Sequence, residues 1–135
     1  MKKIRSFLII VTFFCLMVLP SLSNAQRNLL VISDNLDWKV TYTYQYSHTS
    51  KWTQTCSLDL YDFSFYLTNT SDKSIKFNNF YIYRTREYCN EYASFYDENR
   101  LRNFVLEPGK DVWIKITTAV PAGNGAPSEW NYRIN

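Results

Sequence analysis

The chain has 135 residues, a length typical of one small domain with or without a processing segment. A hydrophobic content of 46% and an aromatic content of 18% exclude a disordered chain, and three glycines with four prolines exclude collagen-like and low-complexity sequences. The formal net charge is +3, but three of the 15 basic residues stand at the extreme N-terminus. The other 12 equal the acidic residues in number, so the rest of the chain lacks the basic field needed to bind nucleic acid or anionic membranes.

Residues 1–25 have the three parts of a secretory signal peptide. Basic residues open the segment, a largely apolar run covers residues 7–19, and small residues end it at Ala25. The apolar run is short for a transmembrane helix, which needs about 20 residues. We therefore predict cleavage before Gln26, leaving residues 26–135 as one secreted or periplasmic domain that does not insert into a membrane.

Two cysteines, Cys56 and Cys89, remain after the predicted cleavage. In an exported domain such a pair most simply forms one disulfide. A metal site would need further His or Cys ligands, and the only histidine is His48, in a predicted turn. We therefore predict a Cys56–Cys89 disulfide, no bound metal and no cofactor.

Alternation of apolar and polar residues dominates the predicted mature chain. It is clearest in residues 38–46 and 61–68, each with one apolar-aromatic face and one polar face, as in a half-buried strand. A change of phase at residues 78–79 predicts a β-bulge within a strand over 75–82. The other predicted strands cover residues 29–32, 52–58, 101–106, 112–116 and 130–134.

Turn residues separate these segments. Polar turns are predicted at 47–50 and 69–73, a type II turn at Pro108-Gly109, and a loop at 121–127. Seven or eight short strands without a helix predict an all-β fold, namely an antiparallel two-sheet β-sandwich. An up-and-down barrel or a jelly roll is the alternative arrangement.

Two short stretches carry a family resemblance. Residues 63–77 resemble a recurring hairpin of bacterial immunoglobulin-like domains, in which one strand ends in Asn-x-Ser (Asn69 to Ser71) and the next begins with an apolar residue. Leu106-Glu107-Pro108-Gly109 resembles the late Leu-x-Pro-Gly turn of the same domains. The resemblance implies a small exported immunoglobulin-like sandwich and transfers no functional residue.

Catalytic constellations are sparse. Two carboxylates suffice for glycoside hydrolysis when they are correctly spaced across a cleft, and the sequence does not give that spacing. We expect the paired carboxylates to be solubilising charges and the protein not to be an enzyme, with a small hydrolase as the alternative. The pairs are Asp59 with Asp62, Glu87 with Glu91, and Asp97 with Glu98.

The segment from Tyr83 to Arg102 is the longest stretch without clean alternation, and it is rich in tyrosine and arginine. Loops on a rigid sandwich often carry binding residues, and Tyr and Arg are enriched at energetic hot spots. The opposing interpretation is a surface neutralised by acidic residues of the same segment. The face formed by residues 38–46 is predicted to be core. The predicted binding residues are Arg84, Arg86, Tyr88, Tyr92 and Tyr96.

The function that these patterns favour is non-catalytic binding by an exported domain. The ligand would be a protein or a polysaccharide at the cell surface or in the periplasm, and not a nucleic acid. One alternative is an inhibitor that presents residues 84–100 to an extracellular enzyme. Another is a structural or assembly subunit of a surface fibre, whose open sheet edge would accept a partner strand.

Overall fold

The computed structural model describes residues 26–89 and 91–135, apart from the side chains of residues 91–95. The predicted signal peptide, residues 1–25, lies outside this range. In the residues described, no helix has the length and apolar character needed to span a membrane. The strands are β1 (Asn28–Ile32), β2 (Trp38–Lys51), β3 (Ser57–Asn69), β4 (Ile75–Tyr88), β5 (Glu91–Leu106), β6 (Asp111–Pro121) and β7 (Asn131–Ile134).

The strands form two antiparallel sheets. A four-stranded sheet has the order β1-β2-β3-β6, and a three-stranded sheet has the order β5-β4-β7. The buried core draws on both sheets, with Phe63 and Phe65 from β3 facing Phe80 and Ile82 from β4. The predicted all-β fold with two antiparallel sheets is therefore confirmed.

Strand β3 organises the core because it lies inside its sheet and alternates strictly from Tyr61 onward. Its residue Phe65 pairs with Tyr42 on β2 and with Ile114 on β6, so the three side chains form one row on the inner face. Trp130, just before β7, fills the space above this row, with its ring centroid 4.8 Å from those of both Phe63 and Phe65. The inward face is thus a continuous aromatic layer.

Two boundaries differ from the sequence prediction. The polar residues 47–50 are part of β2 rather than a turn, since they pair with the start of β3 across a register shift near Tyr46. Residues 52–56 form the turn instead, and β3 runs unbroken from Ser57 to Asn69. Polar side chains misled the prediction because this part of β2 is exposed on both faces and needs no apolar alternation.

The change of phase at residues 78–79 is present, but both strands share it. Phe77 and Phe80 are both buried, although an offset of three would place them on opposite faces of a regular strand. The pairing of β4 with β5 keeps one register here, and Asn103 in β5 has a φ of 52° at the same point. The register shift of this ladder lies further along, between residues 85 and 87.

Asn69 joins the two sheets at one corner. Its buried side-chain amide donates to the carbonyls of Lys73 (2.7 Å) and Leu106 (2.8 Å), and its carboxamide oxygen accepts from the backbone N–H of Ser71. The turn at 69–73 therefore connects a strand of one sheet to a strand of the other. The hairpin suggested by the resemblance of residues 63–77 is wrong in this respect.

The Pro108-Gly109 turn matches its prediction. The N–H of Lys110 donates to the carbonyl of Glu107 at 3.1 Å, and Gly109 has a φ of 71°. A type II turn requires a positive φ at its third position, which glycine adopts without steric cost. The turn directs the chain from β5 in one sheet to β6 in the other.

The Cys56–Cys89 disulfide is present and links the start of β3 to the end of β4, with a Cα–Cα distance of 5.9 Å. We expect Cys56→Ser/Cys89→Ser to lower the free energy of unfolding by about 3–4 kcal/mol, because an open chain regains the entropy of a closed loop of about 34 residues. Urea unfolding of the variant and the oxidised wild type measures the difference. Equal midpoints would contradict the expectation, and reduction of the wild type should reproduce the variant.

Asp59 fastens β3 to β2 and to the loop after β6. Its carboxylate accepts hydrogen bonds from the Thr49 hydroxyl (2.5 Å) and the Gly123 N–H (2.9 Å), and these bonds lower the pKa of Asp59. Because the folded pKa lies below the unfolded one, this carboxylate stabilises the fold above the unfolded pKa. That contribution is lost as the pH falls through the folded pKa.

We therefore expect Asp59→Asn to flatten the acid side of the stability profile below about pH 4, where the unfolded aspartate titrates. Urea midpoints at neutral pH and at about pH 3 measure the slope. Asp34→Asn, in an exposed turn, is the matched control and should keep the slope of the wild type. If Asp59→Asn leaves the slope unchanged, these hydrogen bonds do not make the pKa of Asp59 lower in the folded state than in the unfolded state.

Candidate binding surface

Arg84, predicted to lie on a binding surface, faces the interior and is only 5% exposed. Its guanidinium donates to the Thr118 hydroxyl (3.0 Å) and forms an ion pair with Glu87 (2.8 Å). The Thr118 hydroxyl in turn donates to the buried carboxylate of Asp97 at 2.7 Å. Residues 83–102 are therefore not an irregular loop, because they form the β4–β5 ladder whose inner face continues the core with polar groups. The predicted role of Arg84 at the surface is wrong.

Arg86 also belongs to this network. Its Nε donates to Asp97 Oδ1 at 2.7 Å, and its Nη2 contacts the same oxygen. The hydrogen bonds to Asp97 raise the pKa of Arg86, so the guanidinium stays charged. Its side chain is one-third exposed, and Nη1 reaches the Tyr88 hydroxyl at 3.4 Å.

Tyr88, at the end of β4, and Tyr96, in β5, lie on different parts of the β4–β5 ladder. The Tyr88 ring stacks on Trp52 with a centroid distance of 4.7 Å, beside the disulfide. Tyr96 is 53% exposed and contacts Tyr83 edge-on at 5.6 Å on the outer face of the three-stranded sheet. The side chain of Tyr92 lies outside the described residues. The four described residues of the predicted site therefore lie in three places. Arg84 and Arg86 belong to the buried network, Tyr88 lies at the end of β4 against Trp52, and Tyr96 lies on the outer face.

The β2 face predicted to be core is only half covered. Val40 is fully buried, and Trp38 and Tyr42 are partly buried, but Tyr44 and Tyr46 are 49% and 54% exposed. The opposite sheet has only three strands, and its edge strand β7 is four residues long. The prediction is therefore wrong for Tyr44 and Tyr46, whose rings pack on β3 and leave one side open.

The Asp97–Glu98 pair does not converge on a cleft. Asp97 and Glu98 point to opposite faces of β5, where Asp97 is buried and Glu98 is exposed. Glu87 pairs with Arg84, and Asp62 accepts a hydrogen bond from Thr117 at 2.7 Å. Across residues 26–89 and 91–135, with the side chains of 91–95 excepted, no group of three or more His, Cys, Asp or Glu side chains could hold a metal ion.

The outer face of the four-stranded sheet brings together residues that the sequence left far apart. Alternate residues of β2, β3 and β6 project from it, and their partners lie side by side across the strands at about 5 Å between Cα atoms. Tyr66 pairs with Trp113. The next two rows along the sheet are Thr43–Ser64–Lys115 and Gln45–Asp62–Thr117.

Trp113 is the main apolar group of this outer face. It is 52% exposed, and the Lys115 ammonium lies 5.2 Å from its ring centroid. The neighbouring Tyr66 ring is covered by the Arg27 guanidinium, 3.6 Å from its centroid, and an ion pair of 2.8 Å with Asp111 holds Arg27 there. The Arg27 guanidinium therefore covers the Tyr66 ring closely, whereas the Trp113 ring stays half exposed beside the more distant Lys115 ammonium.

A shallow depression of about 770 Å³ covers this face beside Trp113. Hydroxyl, amide, carboxylate and ammonium groups from Thr43, Gln45, Asp62, Ser64 and Lys115 line it. The sequence prediction overlooked it, although alternation in residues 112–116 already placed a tryptophan on the polar side of a strand. A large ring at such a position was the available signal.

No protein-family model matches the chain, and neither the curated proteins nor the solved structures contain a match to it.

Proposed function

We propose that this protein is an exported, non-catalytic domain that binds polysaccharide through the outer face of its four-stranded sheet. The observation that carries the proposal is Trp113, a large ring that is half exposed on a strand face lined by polar side chains. A tryptophan there contributes little to the core, and an exposed aromatic ring beside a depression is typical of a recognition surface.

The chemistry of this face suits a sugar. The apolar C–H face of a pyranose ring packs on the electron-rich face of an indole, and the sugar hydroxyls then need donors and acceptors around the ring. Asp62 supplies acceptors, Lys115 supplies donors, and Gln45 supplies both. The depression is open, so a polymer can pass along it without a chain end being captured.

A protein ligand fits this face less well. The centres of protein interfaces are depleted in charged residues and combine several buried anchors. Here the half-exposed Trp113 ring has charged, amide and hydroxyl side chains around it. A protein partner or a second copy of this chain is therefore an outcome of the test rather than the proposal.

Two observations support the exported, immunoglobulin-like part of the proposal. A disulfide persists in an oxidising compartment such as the periplasm or the exterior. Four strands in one sheet and three in the other is the division of a seven-stranded immunoglobulin-like sandwich, although the order β1-β2-β3-β6 differs from the A-B-E-D order of immunoglobulin domains. The disulfide lies at strand ends rather than in the centre of the core, which departs from the antibody pattern.

The test is binding of the purified domain to insoluble cellulose, chitin, xylan and starch, measured by depletion from solution. We expect Trp113→Ala to weaken binding to the retained polysaccharide at least tenfold, or about 1.4 kcal/mol, because the stacking ring is lost. Trp52→Ala is the matched control, since Trp52 is similarly exposed but lies in the turn before β3. Thermal unfolding checks that both variants are folded.

The outcomes separate the candidate surfaces. Loss of binding in Trp113→Ala with retention in Trp52→Ala supports the proposal. Loss of binding only in Trp52→Ala and Tyr88→Ala would place the site at the Trp52–Tyr88 stack instead. Failure of the wild type to bind any of the four polymers, together with a mass that rises with protein concentration, would favour self-association and overturn the proposal.

A further inference from the structure

Three arginines converge on the outer face of the other sheet, opposite to the Trp113 face. Arg100 and Arg102 project from β5, and Arg133 projects from the edge strand β7. Tyr81 of β4 pairs with Arg100 on one side and with Arg133 on the other, so the two arginines flank it in one row. With strands about 4.8 Å apart, their Cα atoms are about 10 Å apart, and Arg102 lies about 7 Å along β5. These three residues are called the arginine patch below.

The arginine patch differs from the arginines of the buried network. Arg84 and Arg86 are paired with Glu87 and Asp97. Within the described residues, by contrast, no carboxylate forms an ion pair with any member of the arginine patch. Arginine side chains left without a counter-charge retain their donors for a ligand, and the planar fork suits bidentate capture of carboxylate or sulfate.

Local acid does not neutralise the arginine patch. Glu98 is the carboxylate one row away on this face, and it accepts a hydrogen bond from the Tyr81 hydroxyl. The Arg100 guanidinium lies over the Tyr81 ring, 4.0 Å from its centroid. Tyr81 is therefore in contact with both groups, and Glu98 accepts its hydrogen bond from the Tyr81 hydroxyl without forming an ion pair with Arg100.

The surroundings of the arginine patch supply neutral hydrogen-bonding groups. A depression of about 750 Å³ lies against the arginines and is also lined by Asn78, Asn79 and Asn103. The Asn79 amide donates to the backbone carbonyl of Arg133 at 3.1 Å, which holds β7 in place beside β4. Amide side chains of this kind match sugar hydroxyls, which both donate and accept.

Aromatic rings continue the same face along the strands. Tyr83 stacks on Tyr81 with a centroid distance of 4.8 Å, and the exposed Tyr96 contacts Tyr83 edge-on. Tyr96, predicted from the sequence as a binding residue, therefore lies on the face that holds the arginine patch. On this face the tyrosine rings can stack on sugar rings, and the arginines can bind the anionic groups of the same polymer.

We infer that the arginine patch binds an acidic polysaccharide through its carboxylate or sulfate groups. Charge complementarity selects a polyanion, and the amides and tyrosines select a sugar polymer over a bare phosphate chain. Nucleic acids and anionic membranes demand a broader basic field than three arginines on a domain with balanced charge. The inference does not rest on the polysaccharide proposed for the Trp113 face, because the two outer faces are on opposite sides of the molecule.

The test uses matched polymers that differ only in charge. Dextran sulfate is compared with neutral dextran, and polygalacturonate with its methyl ester, by affinity electrophoresis of the purified domain at about 50 mM and about 200 mM NaCl. The decisive variant is Arg100→Gln/Arg102→Gln/Arg133→Gln. Its control is Lys51→Gln/Lys73→Gln/Lys110→Gln, which removes the same charge from exposed sites elsewhere. Thermal unfolding verifies that both variants fold.

We expect the arginine variant to lose at least tenfold in affinity for the acidic polymer, and the lysine variant to lose about twofold or less, as for a general charge effect. Arg102→Lys should recover only part of the loss caused by Arg102→Gln, since an ammonium cannot make the bidentate contact. Preference between the sulfated and the carboxylated polymer identifies the anionic group.

Several results would overturn the inference. They are equal binding of the neutral polymers, an equal loss in the lysine variant, competition by duplex DNA as strong as that by the acidic polymer, and no binding of either acidic polymer. Acidic binding that needs the arginines but is unaffected by Trp113→Ala would leave this inference standing, whatever the cellulose, chitin, xylan and starch experiment shows.

Discussion

Asp97→Ala is expected to destabilise the protein by about 3–5 kcal/mol, because it removes the buried carboxylate that accepts from both an arginine and a buried hydroxyl. Asp97 accepts hydrogen bonds from Arg86 and from Thr118, which also accepts one from the buried Arg84. Without Asp97, only Glu87 remains close to Arg84 as a counter-charge among the described residues. Urea unfolding followed by tryptophan fluorescence measures the loss.

Asp72→Ala is the control for this prediction. Asp72 lies in the exposed turn between β3 and β4, so its replacement should change stability by no more than about 0.5 kcal/mol. If Asp97→Ala falls within about 1 kcal/mol of the wild type, the network is dispensable for folding. The inward position of Arg84 would then need a different explanation from ion pairing.

Phe65→Ala is expected to cost about 3–5 kcal/mol through the cavity it leaves in the aromatic layer. Phe65 is fully buried between Tyr42, 5.9 Å away, and Trp130, 4.8 Å away, both measured between ring centroids. Neither neighbour can move far into the space, because Tyr42 is fixed by the β2–β3 ladder and Trp130 lies against both Phe63 and Phe65. Denaturant midpoints and slopes for the wild type and the variant give the free-energy difference.

Tyr44→Ala serves as the comparison on the same inner face. Its ring stacks on Phe63 at 5.3 Å but keeps about half of its surface exposed. We expect a cost of about 1 kcal/mol for it, with the partly buried Tyr42→Ala between the two, since less apolar area leaves water. A larger cost for Tyr44→Ala than for Phe65→Ala would mean that the open end of the β2 face is the true core.

The strand pattern could be predicted wherever burial alternates. From Tyr61 in β3 and from Ile114 in β6 every second residue is buried, and the sequence predictions for 61–68 and 112–116 fall within these strands. Prediction failed where both faces carry polar or aromatic side chains. In residues 83–88 and 91–102 the inner face holds Arg84 and Asp97 and the outer face holds Tyr96 and Arg100, so period two is hidden although the backbone forms a ladder with one register shift.

The binding surfaces could be predicted only as residue types. Tyrosine and arginine were correctly singled out as abundant, and Tyr96 does lie on an outer face. Arg84 was misplaced because charge suggests exposure unless a buried partner is known, and its buried partner Thr118 is 34 residues away in sequence. Trp113 and Arg133 were not predicted as binding residues, because the groups that surround them lie on other strands and are distant in sequence.

The sequence by itself determined the local chemistry of this protein. Alternation and turn residues define an all-β chain, and a single pair of cysteines after residue 25 defines the disulfide. The tertiary structure decided what depends on contacts across strands and between sheets. A three-stranded sheet leaves Tyr44 exposed, strand pairing sets Trp113 beside Tyr66, and the β4–β7 ladder brings Arg133 to within one strand of Arg100. The physical reason is that the polarity of a side chain indicates whether that residue favours water or the core. Which residues cover it and which lie beside it depends on strand pairing between residues that are distant in the chain.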